Sequence, residues 1–243
     1  MTTPLVIVCL TELLFVVATR LVLHYYAWTS FEAEAIRTVL RIATVSIYWW
    51  LLRPLILSRS GSPATLAKPP AIVGLLLFLS IPVLIGNYAL AKPIAIFFAV
   101  ASIAVAVKEE FLFRGILQNL LAQRFGSAKA VLGTSAIFTA WHIGVWEPTV
   151  WVFGQIFFAS ILLGVVYIQS GSIAAAIVIH TTYDALFSLS PLVAAPLNEN
   201  WGFVPLLASL ALVLFWASNG TPRSPGQIVS PSLNAAAEGD SKP

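Results

Sequence analysis

Runs of roughly twenty apolar residues recur along this chain with few charged residues inside them, and that pattern restricts the fold more than any motif does. Crossing about 30 Å of hydrocarbon at about 1.5 Å per residue takes a helix of that length. Such runs are read over 4–26, 37–57, 71–91, 94–122, 129–147, 149–170, 172–190 and 202–218. Arg20, Arg37 and Arg41 interrupt the first two, and the fourth carries Glu109, Glu110 and Arg114 in its second half. Breaks fall at Ser58 to Pro70, Lys92-Pro93, Phe125-Gly126-Ser127, Glu147-Pro148, Ser170-Gly171-Ser172 and Pro196 to Asn200, where the turn chemistry puts them. The expected fold class is all-α: a polytopic transmembrane helical bundle of about eight spans, with seven as the rival, around a buried polar cavity.

Composition closes off the other classes. Only 9% of the 243 residues are charged, against about a quarter in soluble domains, and 59% are hydrophobic. That excludes an ordinary water-soluble enzyme, a disordered chain and a nucleic-acid binder. The single cysteine, Cys9, permits no intramolecular disulfide and makes a thiolate metal cluster a poor reading. The start of the chain lacks a basic segment and a small-residue cleavage site, so it reads as a helix and not as a signal peptide. Residues 1–218 read as one integral-membrane domain without an internal repeat, its motif-bearing core at about 70–190, and 219–243 as a disordered polar tail.

Orientation follows from the short loops. With eight spans, Arg53, Arg59, Lys68, Arg124, Lys129, Arg223 and Lys242 collect on one side, which should be cytoplasmic and hold both termini. The other side keeps Lys92 with Glu32, Glu34, Glu147 and Glu199, and Trp28, Trp146, Trp151 and Trp201 are expected to anchor there. The lipid bilayer is thus one partner, and the location expected is the cytoplasmic (inner) membrane of a bacterium.

Ionisable groups inside a bilayer are costly and mark a site or a structural pair. Here they concentrate in three segments: Lys108-Glu109-Glu110-Phe111-Leu112-Phe113-Arg114, Phe138-Thr139-Ala140-Trp141-His142, and His180-Thr181-Thr182-Tyr183-Asp184. Glu110 and Arg114 are four apart, share a helix face and can neutralise each other, while Glu109 lies about 100° around and can face a cavity. His180 and Asp184 are also four apart, so one carboxylate can orient or charge one imidazole. Counted from the nearest loop, Glu109, His142, His180 and Asp184 fall within about two helical turns of one level. The bland readings are a buried ion-pair network of Glu109 and Glu110 with Lys108 and Arg114, and packing roles for single histidines. His24, Gln118, Asn119 and Glu147 read as structural, and Gly133, Gly144, Gly154 and Gly164 as places of close helix approach.

Glu109-Glu110-x-x-x-Arg114, Phe138-x-x-x-His142 and His180-x-x-x-Asp184, in this order, resemble the motif set of the CPBP intramembrane proteases. That family contains the type II CAAX prenyl endopeptidases and bacterial relatives called abortive-infection or bacteriocin-immunity proteins. The resemblance implies a glutamate-dependent, metal-independent intramembrane endopeptidase with no cofactor. Glu109 and His142 would activate water, His180 and Asp184 would stabilise the oxyanion, and Glu110, Arg114 and Phe138 would support the site. Many members carry Asn where this chain has Asp184. An ionised Asp184 would repel an oxyanion, so either it holds His180 as imidazolium or it is itself protonated; the first is preferred.

The residue types suit that chemistry without the family name, since a carboxylate in an apolar cavity is a better general base than one in water. A cytoplasm-facing cavity would admit both water and a peptide end. The partner expected is a peptide or membrane-protein substrate, possibly lipidated, and no nucleic acid. Competing readings are a zinc hydrolase, because Glu109, His142 and His180 supply a two-His, one-carboxylate set, and a transporter or a non-catalytic immunity or sorting scaffold.

Overall fold

The computed structural model describes residues 2–58, 66–86, 92–145, 149–190 and 197–219. Helices are α1 (Thr2–Tyr25), α2 (Phe31–Ile56), α3 (Pro69–Ile85), α4 (Lys92–Glu110), α5 (Asn119–Phe125), α6 (Ser127–Trp141), α7 (Val150–Ser170), α8 (Ile173–Leu189) and α9 (Phe203–Ser218). A π-helical segment, Phe111–Gln118, joins α4 to α5 without a break, so each apolar run of the sequence holds one helical rod. There is no β-strand among the described residues, and the molecule is an all-α bundle. The stretches Thr3–Tyr25, Phe31–Ile56, Val150–Ser170 and Asn200–Ser218 are long and apolar enough to cross a bilayer. The Glu147-Pro148 break, Trp146, Arg59, Pro196 and the tail beyond Asn219 lie outside the described residues, as do the side chains of Lys92 and Glu199.

Local chemistry sets the helix ends. Ser30, Thr149 and Ser172 each accept a hydrogen bond from the backbone N–H three residues on, and so cap α2, α7 and α8. Gly171 adopts a left-handed φ of 63° and ends α7, which lets α8 start at once and pack back against it. α4 lies along α8, α3 along α9 and α6 along α7.

The bundle is apolar outside as well as inside. Leu13, Leu14, Val17, Val39, Trp50 and Val204 are more than half exposed, which in water would be an aggregation hazard and in lipid is the natural surface. One buried apolar cluster joins α3, α7, α8 and α9 through Phe78, Leu162, Val166, Leu206 and Val213. A second joins α2, the π-segment and α6 through Tyr48, Ile56, Phe113, Ile116 and Phe138. The polar cavity lies between them, bordered by Tyr183 of the first and Phe138 of the second.

Five expectations need correction. α6 stops at Trp141 and not at 147, because Gly144 takes a left-handed φ of 79° in the turn that follows. Gly144 therefore serves that turn and not helix approach. Gly133 meets only ordinary contact with Leu121, whereas a Cβ on Gly154 or Gly164 would come within 3.0 Å of Phe203 or Gln118. α2 starts at Phe31, so Glu34 is not in a loop: it is buried in the first turn and pairs with Arg37 and Arg41. Trp151 is 5% exposed and packs edge-on against Phe203, so it is a core residue and not an interface anchor. The fifth concerns the cavity mouth. The cavity is lined by the C-terminal halves of α1, α3, α6 and α8 and by the N-terminal halves of α2 and α7, so it opens at the end opposite the start of α1 and the close of α9. A cytoplasmic position for both termini and a cytoplasm-facing cavity cannot hold together.

Candidate active site

The site starts with the ion pair that the spacing predicts. Glu110 and Arg114 are both 0% exposed, with Arg114 Nη1 3.2 Å from Glu110 Oε1. The pair needs further partners to offset its desolvation. Arg114 Nη2 donates to the Ser160 carbonyl (3.2 Å) and hydroxyl (3.1 Å) on α7, and the guanidinium lies 5.0 Å from the Phe138 ring centre. Glu110 Oε1 also faces His180 Nδ1 at 2.7 Å. One buried carboxylate thus ties α4 to α8 and, through Arg114, to α7.

His180 is the hub. Its Nδ1 is taken by Glu110, and its Nε2 looks into the cavity, 3.4 Å from Asp184 Oδ2 and 3.8 Å from Glu109 Oε2. Side-chain exposure climbs from Glu110 (0%) through Glu109 (14%) to Asp184 (31%), so the three carboxylates around one imidazole run from dry to wet. The sequence pairing of His180 with Asp184 is present, but its shorter contact is with Glu110, a partner seventy positions away.

His142 caps the end of α6, where the last carbonyls of a helix lack partners. Its Nδ1 is 2.8 Å from the Phe138 carbonyl. A carbonyl only accepts, so Nδ1 carries the hydrogen and Nε2 of the neutral ring keeps its lone pair. Phe138 stands against both imidazoles, with ring centres 4.6 Å from His142 and 6.3 Å from His180, and against Phe113 at 4.8 Å. Glu109, His142, His180 and Asp184 all line one cavity of about 1060 Å³, large enough for a short peptide segment.

Several polar partners here escape a reading of the chain. Lys108 turns away from Glu109 and Glu110 and pairs instead with Glu12 of α1 at 2.6 Å; Glu12 also accepts from the Tyr48 hydroxyl. The bland reading, a single network of Glu109 and Glu110 with Lys108 and Arg114, therefore fails at Lys108. A lone acid in the first apolar run was the signal that a buried partner had to exist. Gln155 of α7 donates to the Tyr183 hydroxyl at 2.6 Å on the cavity wall. Ser160 gave no signal, since one serine in an apolar helix usually bonds its own backbone. Gln118 and Asn119 are buried structural links, to the carbonyls of Gly164 and Leu55, as expected.

The zinc reading needs a convergent donor set. Among the described residues no three His, Cys, Asp or Glu side chains are arranged to hold a metal ion. The Nδ1 of His180 is already committed to Glu110.

No curated protein and no solved structure matches the chain. Residues 91–186 match the family model described as Type II CAAX prenyl endopeptidase Rce1-like. That stretch contains Glu109, Glu110, Arg114, Phe138, His142, His180 and Asp184, and leaves out α1 to α3 and α9. The apolar helices make this an integral membrane protein, and its site-bearing core is similar, over residues 91–186, to the Rce1-like, type II CAAX prenyl endopeptidase family.

Proposed function

We propose that the protein is an intramembrane endopeptidase of the glutamic type that hydrolyses a peptide bond without a metal or other cofactor. Glu109 and His142 activate water, His180 and Asp184 serve the oxyanion, and Glu110, Arg114 and Phe138 hold them in place. The observation that carries this reading is the clamped imidazole of His180, with one nitrogen fixed by a dry carboxylate and the other presented to a cavity that Glu109 and His142 share.

The chemistry runs as follows. Glu109 takes a proton from water as its oxygen bonds to the scissile carbonyl carbon, and His142 Nε2 is the second acceptor within the cavity. The carbonyl oxygen becomes an oxyanion. Both ring nitrogens of His180 face carboxylate oxygens, an arrangement that favours an imidazolium, with Nε2–H directed into the cavity as the donor to that oxygen. Asp184 and Glu110 offset the imidazolium charge. When the C–N bond breaks, the proton held by Glu109 passes to the leaving amine.

We further assign the protein to a bacterial cytoplasmic membrane with both termini cytoplasmic, on the distribution of Lys and Arg. The substrate class is a peptide or a segment of a membrane-associated protein. The deciding experiment compares purified wild type with Glu109→Ala on a library of quenched fluorescent peptides, with and without a strong chelator. Cleavage by the wild type that survives chelation and vanishes in the variant is expected. Loss on chelation that zinc restores would favour the zinc hydrolase, and equal cleavage by Glu109→Ala would end the assignment of Glu109.

A further inference from the structure

The cavity wall carries its charge unevenly. At the inner end, Glu109 and Asp184 stand around His180. Toward the mouth, Arg20, Arg37 and Arg41 line the same cavity, and among the described lining residues of that end Glu34 is the one acid.

Helix register fixes how far apart the two ends lie. Phe31 packs on Phe97, with ring centres 4.4 Å apart, and Trp49 on Phe111 at 6.0 Å, so α2 and α4 run side by side in the same direction. Glu12 of α1 meets both Tyr48 of α2 and Lys108 of α4, which sets these residues, and Glu109 with them, at one level. From that level Arg41 lies seven residues back along α2, Arg37 eleven, and Arg20 eight onward along the antiparallel α1. At about 1.5 Å per residue, the three arginines stand about 10–16 Å nearer the mouth than Glu109. An extended peptide covers that distance in about three to five residues.

The protein does not use up these guanidiniums. Glu34 takes Arg37 Nη2 on one carboxylate oxygen and Arg41 Nη1 on the other, each at 2.5 Å. Arg37 Nη2 also donates to the Trp28 carbonyl at 2.9 Å, while its Nε is buried with no hydrogen-bond partner. Arg20 is exposed beside Gly144 and forms no ion pair with a described residue. Three cations therefore share one carboxylate, and a peptide backbone brings no charge to balance the surplus.

We propose that Arg20, Arg37 and Arg41 form a specificity subsite for an acidic side chain of the substrate, about three to five residues from the scissile bond on the mouth side. That the bond is cut rests on the endopeptidase reading above; the capture of a carboxylate does not. A carboxylate accepts two parallel N–H bonds from one guanidinium, which fixes its position as well as its charge. The same acid placed against Glu109 and Asp184 is repelled, so the two ends of the cavity set the register of the segment between them.

The test uses the full chain in phosphatidylcholine vesicles and quenched fluorescent peptides with amidated C-termini. Asp, Asn or Lys is placed in turn at each position within about five residues of the cut, which mass spectrometry locates. At one such position the Asp peptide is expected to exceed its Lys counterpart about tenfold in kcat/KM, through KM. Arg20→Glu, at an exposed position, is expected to reverse that ratio, and Arg41→Gln to flatten it. Each ratio is taken within one protein, so a loss of folded material does not move it. Equal cleavage of Asp and Lys peptides by the wild type overturns the proposal, as does a preference that Arg20→Glu leaves intact. A preference seen only in a parallel set with free C-termini, or one erased by adding phosphatidylglycerol to the vesicles, also overturns it, since the arginines would then hold a chain end or a lipid phosphate. Failure to cut any peptide counts against the endopeptidase reading, and binding then decides the subsite. By fluorescence anisotropy the Asp peptide is expected to bind about tenfold tighter than the Lys peptide; equal binding, or none, overturns the proposal.

Discussion

Two buried ionic clusters sit within a few turns of each other, and they are built on different plans. Between α4 and the two N-terminal helices, Lys108 is answered one to one by Glu12, with Tyr48 as an added donor. In the family-matched core, Glu110 and Arg114 answer each other, and His180 is then surrounded by more carboxylate than one imidazole can satisfy. The surplus, Glu109 and Asp184, faces the cavity. A cluster that neutralises itself holds helices together; one that leaves charge over in a wet pocket has groups available for chemistry.

The contrast can be broken, and the largest effect is expected at Glu109. Glu109→Ala should lower turnover by about 10³-fold or more while the detergent-solubilised protein keeps its elution profile and melting temperature. Next comes Arg114→Ala, which leaves the dry Glu110 with His180 as its one charged partner and should cost up to about 3–5 kcal/mol, read as a loss of thermal stability or of inserted protein. The same logic separates the clusters by a double replacement. Glu12→Leu with Lys108→Met should cost no more than about 1–3 kcal/mol, the penalty of leaving the Tyr48 hydroxyl without its acceptor, because both buried charges go together, and the variant should still hydrolyse peptide. Should that double variant lose turnover while remaining folded, the N-terminal cluster would have to be counted as part of the site.

Smaller effects sharpen the picture. Asp184→Asn should reduce turnover by about tenfold and narrow the pH–rate profile on its alkaline side, because the imidazolium of His180 loses one of its supporting charges. An unchanged rate and profile would mean that Asp184 does not support His180 by charge. Gly115→Ala should cost about 1–3 kcal/mol: a Cβ there would lie 3.0 Å from Ile173 Cδ1 and 3.3 Å from the Ile56 backbone, which has no room to give. The readout is melting temperature.

What could be read from the chain follows a simple physical division. Contacts within one helix obey its 3.6-residue period, so Glu110 with Arg114 and His180 with Asp184 were legible, as was the break at Ser170-Gly171-Ser172. Contacts between helices depend on which faces meet, and nothing local encodes that. Ser160 under Arg114, Glu12 under Lys108 and Glu110 under His180 all belong to this class. The end of α6 was misplaced because Ile143 and Val145 continue the apolar pattern past a glycine whose backbone had already turned. That the cavity mouth and the two termini lie at opposite ends was not legible, because a level along the bilayer can be counted from loops, whereas the direction in which a bundle splays cannot.

The π-helical segment has a consequence beyond its local shape. Seven of its eight residues are buried, so the widened turn is gripped on all sides by α2, α6, α7 and α8. It accommodates one extra residue relative to regular winding. Loss of a single in-frame codon between 111 and 118 would barely alter hydropathy and would let the segment wind as ordinary α-helix, with the flanking rods near their places but the residues inside the octet turned to other faces. Arg114 would then leave Glu110 and Ser160 while Glu109 kept its place. Among natural variants of this protein, length in that octet should be held more strictly than the identity of its aliphatic letters.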